Sequence, residues 1–144
     1  MNIKLLRNPT LYVNYNNLNS KILKLNSKVR YAGIYHPGNV KIFEKIQKGI
    51  TRLADKKNTL DTVIHAYMRW KARQHYSSVI GEPMYTITKY VKINRLTIPL
   101  HSKALLMINT EPELEPDEIV NDVIALIKKY SDDSNYTPRQ VHLG

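Results

Sequence analysis

Cysteine is absent from this chain of 144 residues, and glycine occurs only five times. Without thiols, the chain has no disulfide, no cysteine nucleophile and no cysteine-based zinc or iron–sulfur site. The glycine-rich loops that bind nucleotides are also missing, because neither G-x-x-x-x-G-K-S/T nor G-x-G-x-x-G occurs. The hydrolase patterns G-x-S-x-G and H-E-x-x-H are absent as well. We therefore expect a protein that is not an enzyme and that uses no cofactor.

Long apolar runs are absent too. No stretch approaches the length needed to span a bilayer, so a membrane span is not expected. The N-terminus, Met-Asn-Ile-Lys-Leu-Leu-Arg, contains too much charge for a secretory signal, and a cytoplasmic location is the simplest interpretation. The histidines are scattered, and His65 and His75 are ten residues apart, which does not fit a shared metal site on one helix. We expect no bound metal.

Acidic residues are nearly missing from the first 58 residues, which contain twelve Lys or Arg and two acids. Residues 104–144 reverse this balance with three bases and eight acids, while the whole chain has a net charge of +10. A basic segment of this kind attracts polyanions, so one hypothesis is a nucleic-acid or ribosome-associated protein. The residues that would bind the polyanion are Lys21, Lys24, Lys28, Arg30, Lys41, Lys45, Lys48, Arg52, Arg69 and Arg73.

Hydrophobic periodicity and turn residues predict the element order α-β-β-α-β-β-β-α. This order favours a single α+β domain over residues 15–130, with a mainly antiparallel five-stranded sheet packed by helices. Residues 1–14 are predicted to be an N-terminal extension and 131–144 a flexible polar tail. The predicted helices cover about 15–25, 59–79 and 115–130, and the predicted strands cover 29–35, 40–46, 84–90, 92–98 and 103–109.

The predicted central helix carries the residues that we assign to an interface: Trp70, Lys71, His75 and Tyr67. Trp is enriched in interfaces, and a helix shared between two copies would explain basic residues close to an apolar face. The alternative is that Lys71 and His75 reach solvent from the edge of the sheet. The apolar face itself is predicted to contain Leu60, Val63, Ile64, Tyr67, Met68, Ala72 and Tyr76, with a separate exposed stripe of His65, Arg69 and Arg73.

Ten tyrosines accompany a single phenylalanine. Tyrosines among basic residues can stack on the bases of single-stranded RNA, but the same residues are common at the rims of amphipathic strands. The sequence contains no RNP-like motif that would decide for RNA. The tyrosines with basic neighbours are Tyr12, Tyr15, Tyr31, Tyr35, Tyr85 and Tyr90.

Three segments resemble a small uncharacterised archaeal family of unknown function: Lys28–Ile34, Gly81–Tyr85 and Lys89–Leu100. The element order resembles the roadblock, dynein light chain and longin-like group, with profilin-like domains as looser relatives. The roadblock resemblance implies a non-enzymatic scaffold that self-associates through the central helix and an adjacent edge strand, with small GTPases or other signalling proteins as partners. A ligand sensor that uses the cleft between sheet and helix is a third class, although no residue singles it out.

Overall fold

Five antiparallel strands form one sheet with helices on both faces in the computed structural model, which describes residues 9–37, 42–101 and 104–132. The predicted α+β fold with a five-stranded antiparallel sheet is confirmed. The helices are α1 (Pro9–Leu23), α2 (Lys56–Gln74), the short α3 (Ser77–Ile80) and α4 (Val120–Asp132), which follows a 3-10 turn at Pro116–Glu118. The strands are β1 (Val29–Tyr35), β2 (Ile42–Ile46), β3 (Thr86–Lys89), β4 (Asn94–His101) and β5 (Ala104–Thr110).

The strand order is β2-β1-β5-β4-β3, so β5 lies in the centre. Successive side chains of a strand point to opposite faces of the sheet. Leu106 and Ile108 of β5 accordingly pack with α1 and α4 on one face, and Leu105 and Met107 pack with α2 on the other. This explains the continuous apolar sequence of β5, because a strand covered on both faces is not amphipathic.

Helix α1 begins at Pro9 rather than near Tyr15 as predicted. Residues 9–14, which we assigned to an extension, are therefore helical in the structure. Proline is compatible with the first turn of a helix because the N–H that it lacks has no partner there.

The apolar face predicted for helix α2 is too broad. Asp55 caps the helix, because its carboxylate accepts a hydrogen bond from the Asn58 backbone N–H at 2.7 Å. Met68 and Tyr76, predicted for the buried face, are exposed. The helix has more apolar residues than the sheet can cover, and the stripe that packs inward is Thr59, Val63, Ala66 and Trp70.

Strand β4 continues through Pro99, although the sequence predicted that it ends close to this residue. Strand β3 pairs with β4 only as far as Thr97. Beyond Thr97, one side of β4 has no described neighbour. Pro99 lacks a backbone N–H, but no hydrogen bond to β3 is lost there. Pro99 remains in register with Leu105 of β5.

Candidate protein interface and an arginine-lined pocket

Large apolar side chains are exposed along the second half of α2, through α3 and into the segment that leads to β3. Val79 and Ile80 are 79% and 80% exposed, which is far more than their packing on a closed core would leave. Gly81, with φ at 93°, ends α3 and turns the chain towards β3. We call the exposed group the α2–α3 apolar surface; it comprises Met68, Tyr76, Val79, Ile80 and Met84.

Strand β3 follows this surface directly and forms one edge of the sheet. Among the described strands it pairs only with β4. Its outer backbone N–H and C=O groups therefore have no described strand partner, and such an edge can pair with a strand of another chain. An apolar surface and an open strand edge thus adjoin each other along the chain.

The four residues predicted for the interface lie in different environments. Trp70 is only 2% exposed and packs between α2 and the sheet, so it belongs to the inward stripe of the helix. Tyr67 is half-buried, with its ring 5.6 Å from that of Tyr35. Lys71 and His75 are exposed, and helical spacing places them on the stripe of Met68. Their role in an interface stays a prediction.

Several of the predicted polyanion-binding residues are paired with acids of the same chain. Lys28 contacts Glu113 at 2.9 Å and Arg30 contacts Glu111 at 2.8 Å. The reason is topological: β1 and β5 are antiparallel neighbours, so the start of β1 lies beside the acidic segment that follows β5. The excess positive charge of the N-terminal segment and the acids near the C-terminus thus partly neutralise each other.

The other predicted bases do not form one group. Lys21 lies on α1, and Arg69 and Arg73 lie on α2, on the opposite face of the sheet; Lys45 lies on β2. Exposed side chains are those of Lys21, Lys24, Lys48, Arg69 and Arg73, whereas Lys45 is half-buried and Lys41 lies outside the described residues. Whether any of them binds a polyanion stays a prediction.

The tyrosines are distributed between core and surface. Tyr15, Tyr31 and Tyr35 are buried, whereas Tyr85 and Tyr90 are exposed; the side chain of Tyr12 lies outside the described residues. Buried rings cannot stack on bases without a rearrangement of the core. The interpretation as amphipathic strand residues therefore fits Tyr31 and Tyr35, whereas Tyr15 lies on helix α1.

A pocket of about 270 Å³ lies under the first half of α2. Its floor is one row of side chains across the sheet, formed by Ile46, Tyr31, Asn109 and Arg95 of four neighbouring strands. The loop between β2 and α2 closes one side. A Cβ at Gly33 would lie 2.7 Å from the Tyr31 ring, so the ring leans over this glycine. The space above the row that contains Tyr31 therefore stays open.

Hydrogen bonds hold one side of the pocket in place. The Tyr31 hydroxyl donates to Glu44 Oε1 at 2.9 Å, and Arg52 Nη1 donates to Glu44 Oε2 at 2.9 Å. Arg52 Nη2 also donates to Thr59 Oγ1 on α2 at 2.9 Å. Burial raises the pKa of Tyr31 well above its ordinary value, and the charge of Glu44 and the hydrogen bond to it add to the shift.

Arg95 is the arginine of this pocket that the sequence did not single out. It lies on β4 between two buried residues, and its side chain points to the α2 face. Its position in β4 was the available signal. Arg95 alternates with Leu96, Ile98 and Leu100, so its side chain must point to the other face of the sheet, and that face is also covered.

Comparisons with solved structures show the same fold in other proteins. The gliding protein MglB from Thermus thermophilus matches with a TM-score of 0.66 at 11% identity, over 88% of this chain and 93% of that chain. A structure of MglB with a tetrameric arrangement has a TM-score of 0.69, also at 11% identity, with 88% and 91% covered. A roadblock/LC7 domain from Streptomyces avermitilis has a TM-score of 0.62 at 11% identity, over 82% and 95% of the two chains.

No protein-family model and no curated protein matches the chain. Within the described residues, no helix is long and apolar enough to cross a bilayer. No group of three or more His, Asp or Glu side chains in those ranges is placed to hold a metal ion. The structural similarities, which extend over most of each chain, show that this protein has the roadblock/LC7 fold.

Proposed function

We propose that the protein is a non-enzymatic regulatory or scaffold module that acts through protein–protein contacts as a homodimer. The observation that carries the proposal is the α2–α3 apolar surface beside the open edge of β3. Monomeric soluble proteins rarely expose several large apolar side chains close together, because water-exposed apolar surface is unfavourable. A second copy would cover these side chains, and pairing of two β3 edges would satisfy the free backbone groups.

The predicted interface residues fit this arrangement. Lys71 and His75 border Met68 on α2, so they would lie at the rim of the covered surface, where charged residues are common. Trp70 would support the interface from below by fixing α2 on the sheet. The similar structure of MglB with a tetrameric arrangement supports self-association as a property of this fold. A signalling protein is the partner class that we propose for the assembled module.

The charge distribution gives less support to the polyanion hypothesis. Arg30 and Arg52 contact carboxylates at 2.8 Å and 2.9 Å with much of their side chains buried, so a phosphate would have to compete with these acids. The exposed bases are also divided between the two faces of the sheet.

Analytical ultracentrifugation over a range of concentrations tests the proposal. We expect the wild-type chain to sediment with the mass of two chains, and Ile80→Glu to weaken association at least about tenfold, because a buried charge is costly at an interface. Ala125→Glu is the matched control, since it adds the same charge at an exposed position of α4 on the other side of the sheet. A wild-type chain that stays monomeric at high concentration would contradict the proposal.

A further inference from the structure

Arg95 is a buried cation that has no anion beside it among the described residues. It is 7% exposed, and within those ranges it forms no ion pair. Its Nε donates to Asn109 Oδ1 at 2.9 Å and its Nη1 to Thr62 Oγ1 at 3.4 Å, and both acceptors are neutral. Buried guanidinium groups are normally paired with a carboxylate, because the loss of hydration is otherwise uncompensated. Burial lowers the pKa of Arg95, which agrees with this cost.

The two other arginines of the pocket show the usual arrangement. Arg30 contacts Glu111 at 2.8 Å, and Arg52 contacts Glu44 at 2.9 Å. Three guanidinium groups therefore line the cavity, but only two carboxylates of the described chain neutralise them. The charge that is left over belongs to the arginine on the floor of the pocket.

We propose that this pocket binds a small organic monocarboxylate, whose carboxylate pairs with Arg95. The planar fork of N–H groups on a guanidinium matches the two oxygens of a carboxylate. The Nη2 amino group of Arg95 has no hydrogen-bond partner among the described residues, so the fork is not saturated. A single unpaired positive charge favours a ligand with one negative charge, because the second carboxylate of a diacid would be desolvated without a cation of its own.

The rest of the pocket requires an apolar body on this ligand. An inorganic anion would leave the apolar wall in contact with water, whereas a hydrocarbon chain or ring covers it. The volume of about 270 Å³ limits the size: at about 30 Å³ for each water-sized group, the pocket holds about nine non-hydrogen atoms. The apolar lining consists of Ile46, Ile50, Leu53, Ala54, Tyr90 and Ile93.

Access to the cavity is provided by its partly exposed rim. Leu53 is 58% exposed and Tyr90 is also exposed, and both line the pocket. The pocket lies under the first half of α2, and the α2–α3 apolar surface lies beyond the middle of that helix. The pocket shares no lining residue with the α2–α3 apolar surface or with β3, although its rim residue Tyr90 directly follows β3. Each proposal is therefore tested by its own measurement, ligand binding or association.

Binding is tested on the full chain by isothermal titration calorimetry with four small probes. We expect hexanoate to bind with a dissociation constant of about 1 mM or lower, which is reasonable for a ligand of this size. Hexanol lacks the charge, inorganic phosphate lacks the apolar body, and adipate carries a second carboxylate. Each of these three should bind at least about tenfold more weakly than hexanoate, because each loses one element of the recognition.

Two pairs of variants locate the site. Arg95→Met should weaken hexanoate binding at least about tenfold, whereas Arg73→Met, which removes an exposed charge of α2 outside the pocket lining, should not change it. Leu53 is exposed, so Leu53→Glu and Leu53→Gln are compatible with folding even if Arg95→Met is not. A like charge at the rim should make hexanoate binding severalfold weaker in Leu53→Glu than in Leu53→Gln, which makes the same side chain polar without adding a charge.

The remaining outcomes overturn the proposal. Equal affinity for hexanol and hexanoate would show an apolar cavity in which Arg95 plays no part. Phosphate binding as tight as hexanoate binding would show a general anion site. No binding of hexanoate up to about 10 mM, a range in which even weak small-molecule sites are detected, would show that the pocket has no such ligand. Identical affinities of Leu53→Glu and Leu53→Gln would place the binding elsewhere.

Discussion

The two faces of the sheet are closed by different kinds of contact. On the face of α1 and α4, eighteen buried residues of the described chain form one apolar cluster, in which Ile22, Ile34 and Leu106 are completely buried. On the face of α2, the corresponding cluster has six described buried residues, and the pocket with its arginines and hydrogen bonds lies beside it. Helix α2 is therefore held by a small apolar cluster at its centre and by polar contacts near its start.

This difference indicates where the molecule can bind other molecules. A face closed by so many apolar side chains leaves little room for a ligand and contributes mainly to stability. The α2 face combines an unpaired guanidinium, a cavity and exposed apolar residues at one margin. Each of these features costs folding free energy in the isolated chain, and each can be compensated by a ligand or a partner. We therefore place both proposed binding functions on the α2 side.

The largest expected effect comes from two adjacent leucines of β5. Leu106→Ala removes a completely buried side chain from the α1/α4 face, and we expect it to lower the free energy of unfolding by about 4 kcal/mol. Leu105→Ala makes the same change on the α2 face, and we expect about 2–3 kcal/mol because the smaller cluster can relax around the cavity. Urea denaturation of both variants measures the difference. Equal losses would show that the two faces are packed equally well.

Local sequence patterns were sufficient for much of this fold. The range of β1 was predicted as observed, since Val29 to Tyr35 combines strand-forming residues with a following turn. The apolar run of β5 is typical of a strand covered on both faces, as β5 is in the structure. The burial of Trp70 could not be predicted, because helical periodicity defines the stripes of a helix but does not decide which of two apolar stripes faces the sheet.

The pocket required information that a sequence does not contain. Lys28 and Glu113 are 85 residues apart, and they meet only because β1 and β5 are neighbours in the sheet. Arg95 and Asn109 are likewise brought together by the register of β4 and β5. Until the strand order is known, the charges of the chain cannot be divided into paired and unpaired groups. That division is what distinguishes Arg95 from the other bases.

The pH dependence of stability tests the polar contacts of the α2 face at Tyr31. Burial raises the pKa of Tyr31 above its ordinary value near 10, so above pH 10 the unfolded chain loses this proton while the folded chain retains it. The contribution of Tyr31 to the free energy of unfolding is complete below pH 10 and should decline above pH 10 by about 1.4 kcal/mol per pH unit. Tyr31→Phe lacks this decline but also lacks the hydrogen bond to Glu44, which contributes about 1 kcal/mol.

The two stability curves should therefore converge and then cross as the pH rises past about 10. Urea midpoints of the wild type and of Tyr31→Phe, measured at matched pH values, give the difference directly, because all other titrating groups are common to both. A constant difference across the alkaline range would mean that the Tyr31 hydroxyl is accessible to water, and the α2 face would then be less closed than the structure indicates.

The smallest expected effect concerns the two ion pairs at the end of the sheet beside the pocket. The side chains of Arg30 and Glu111 are 14% and 27% exposed, whereas those of Lys28 and Glu113 are 48% and 59% exposed. We expect Glu111→Gln to cost about 1 kcal/mol, because water screens a half-buried pair less than an exposed one. Glu113→Gln should cost less than Glu111→Gln in the same denaturation experiment.

Acid titration separates the contribution of Glu113 from other effects of its substitution. A hydrogen bond from Lys28 lowers the pKa of Glu113, so the folded chain holds this carboxylate ionised more readily than the unfolded chain. The stabilisation is therefore present above the ordinary glutamate pKa and is lost as the pH falls through the lowered value. The stability of Glu113→Gln should approach that of the wild type in acid. A larger loss of stability in Glu113→Gln than in Glu111→Gln at neutral pH would contradict this prediction. It would show that the exposed Lys28–Glu113 pair, and not the half-buried Arg30–Glu111 pair, holds the acidic segment against β1.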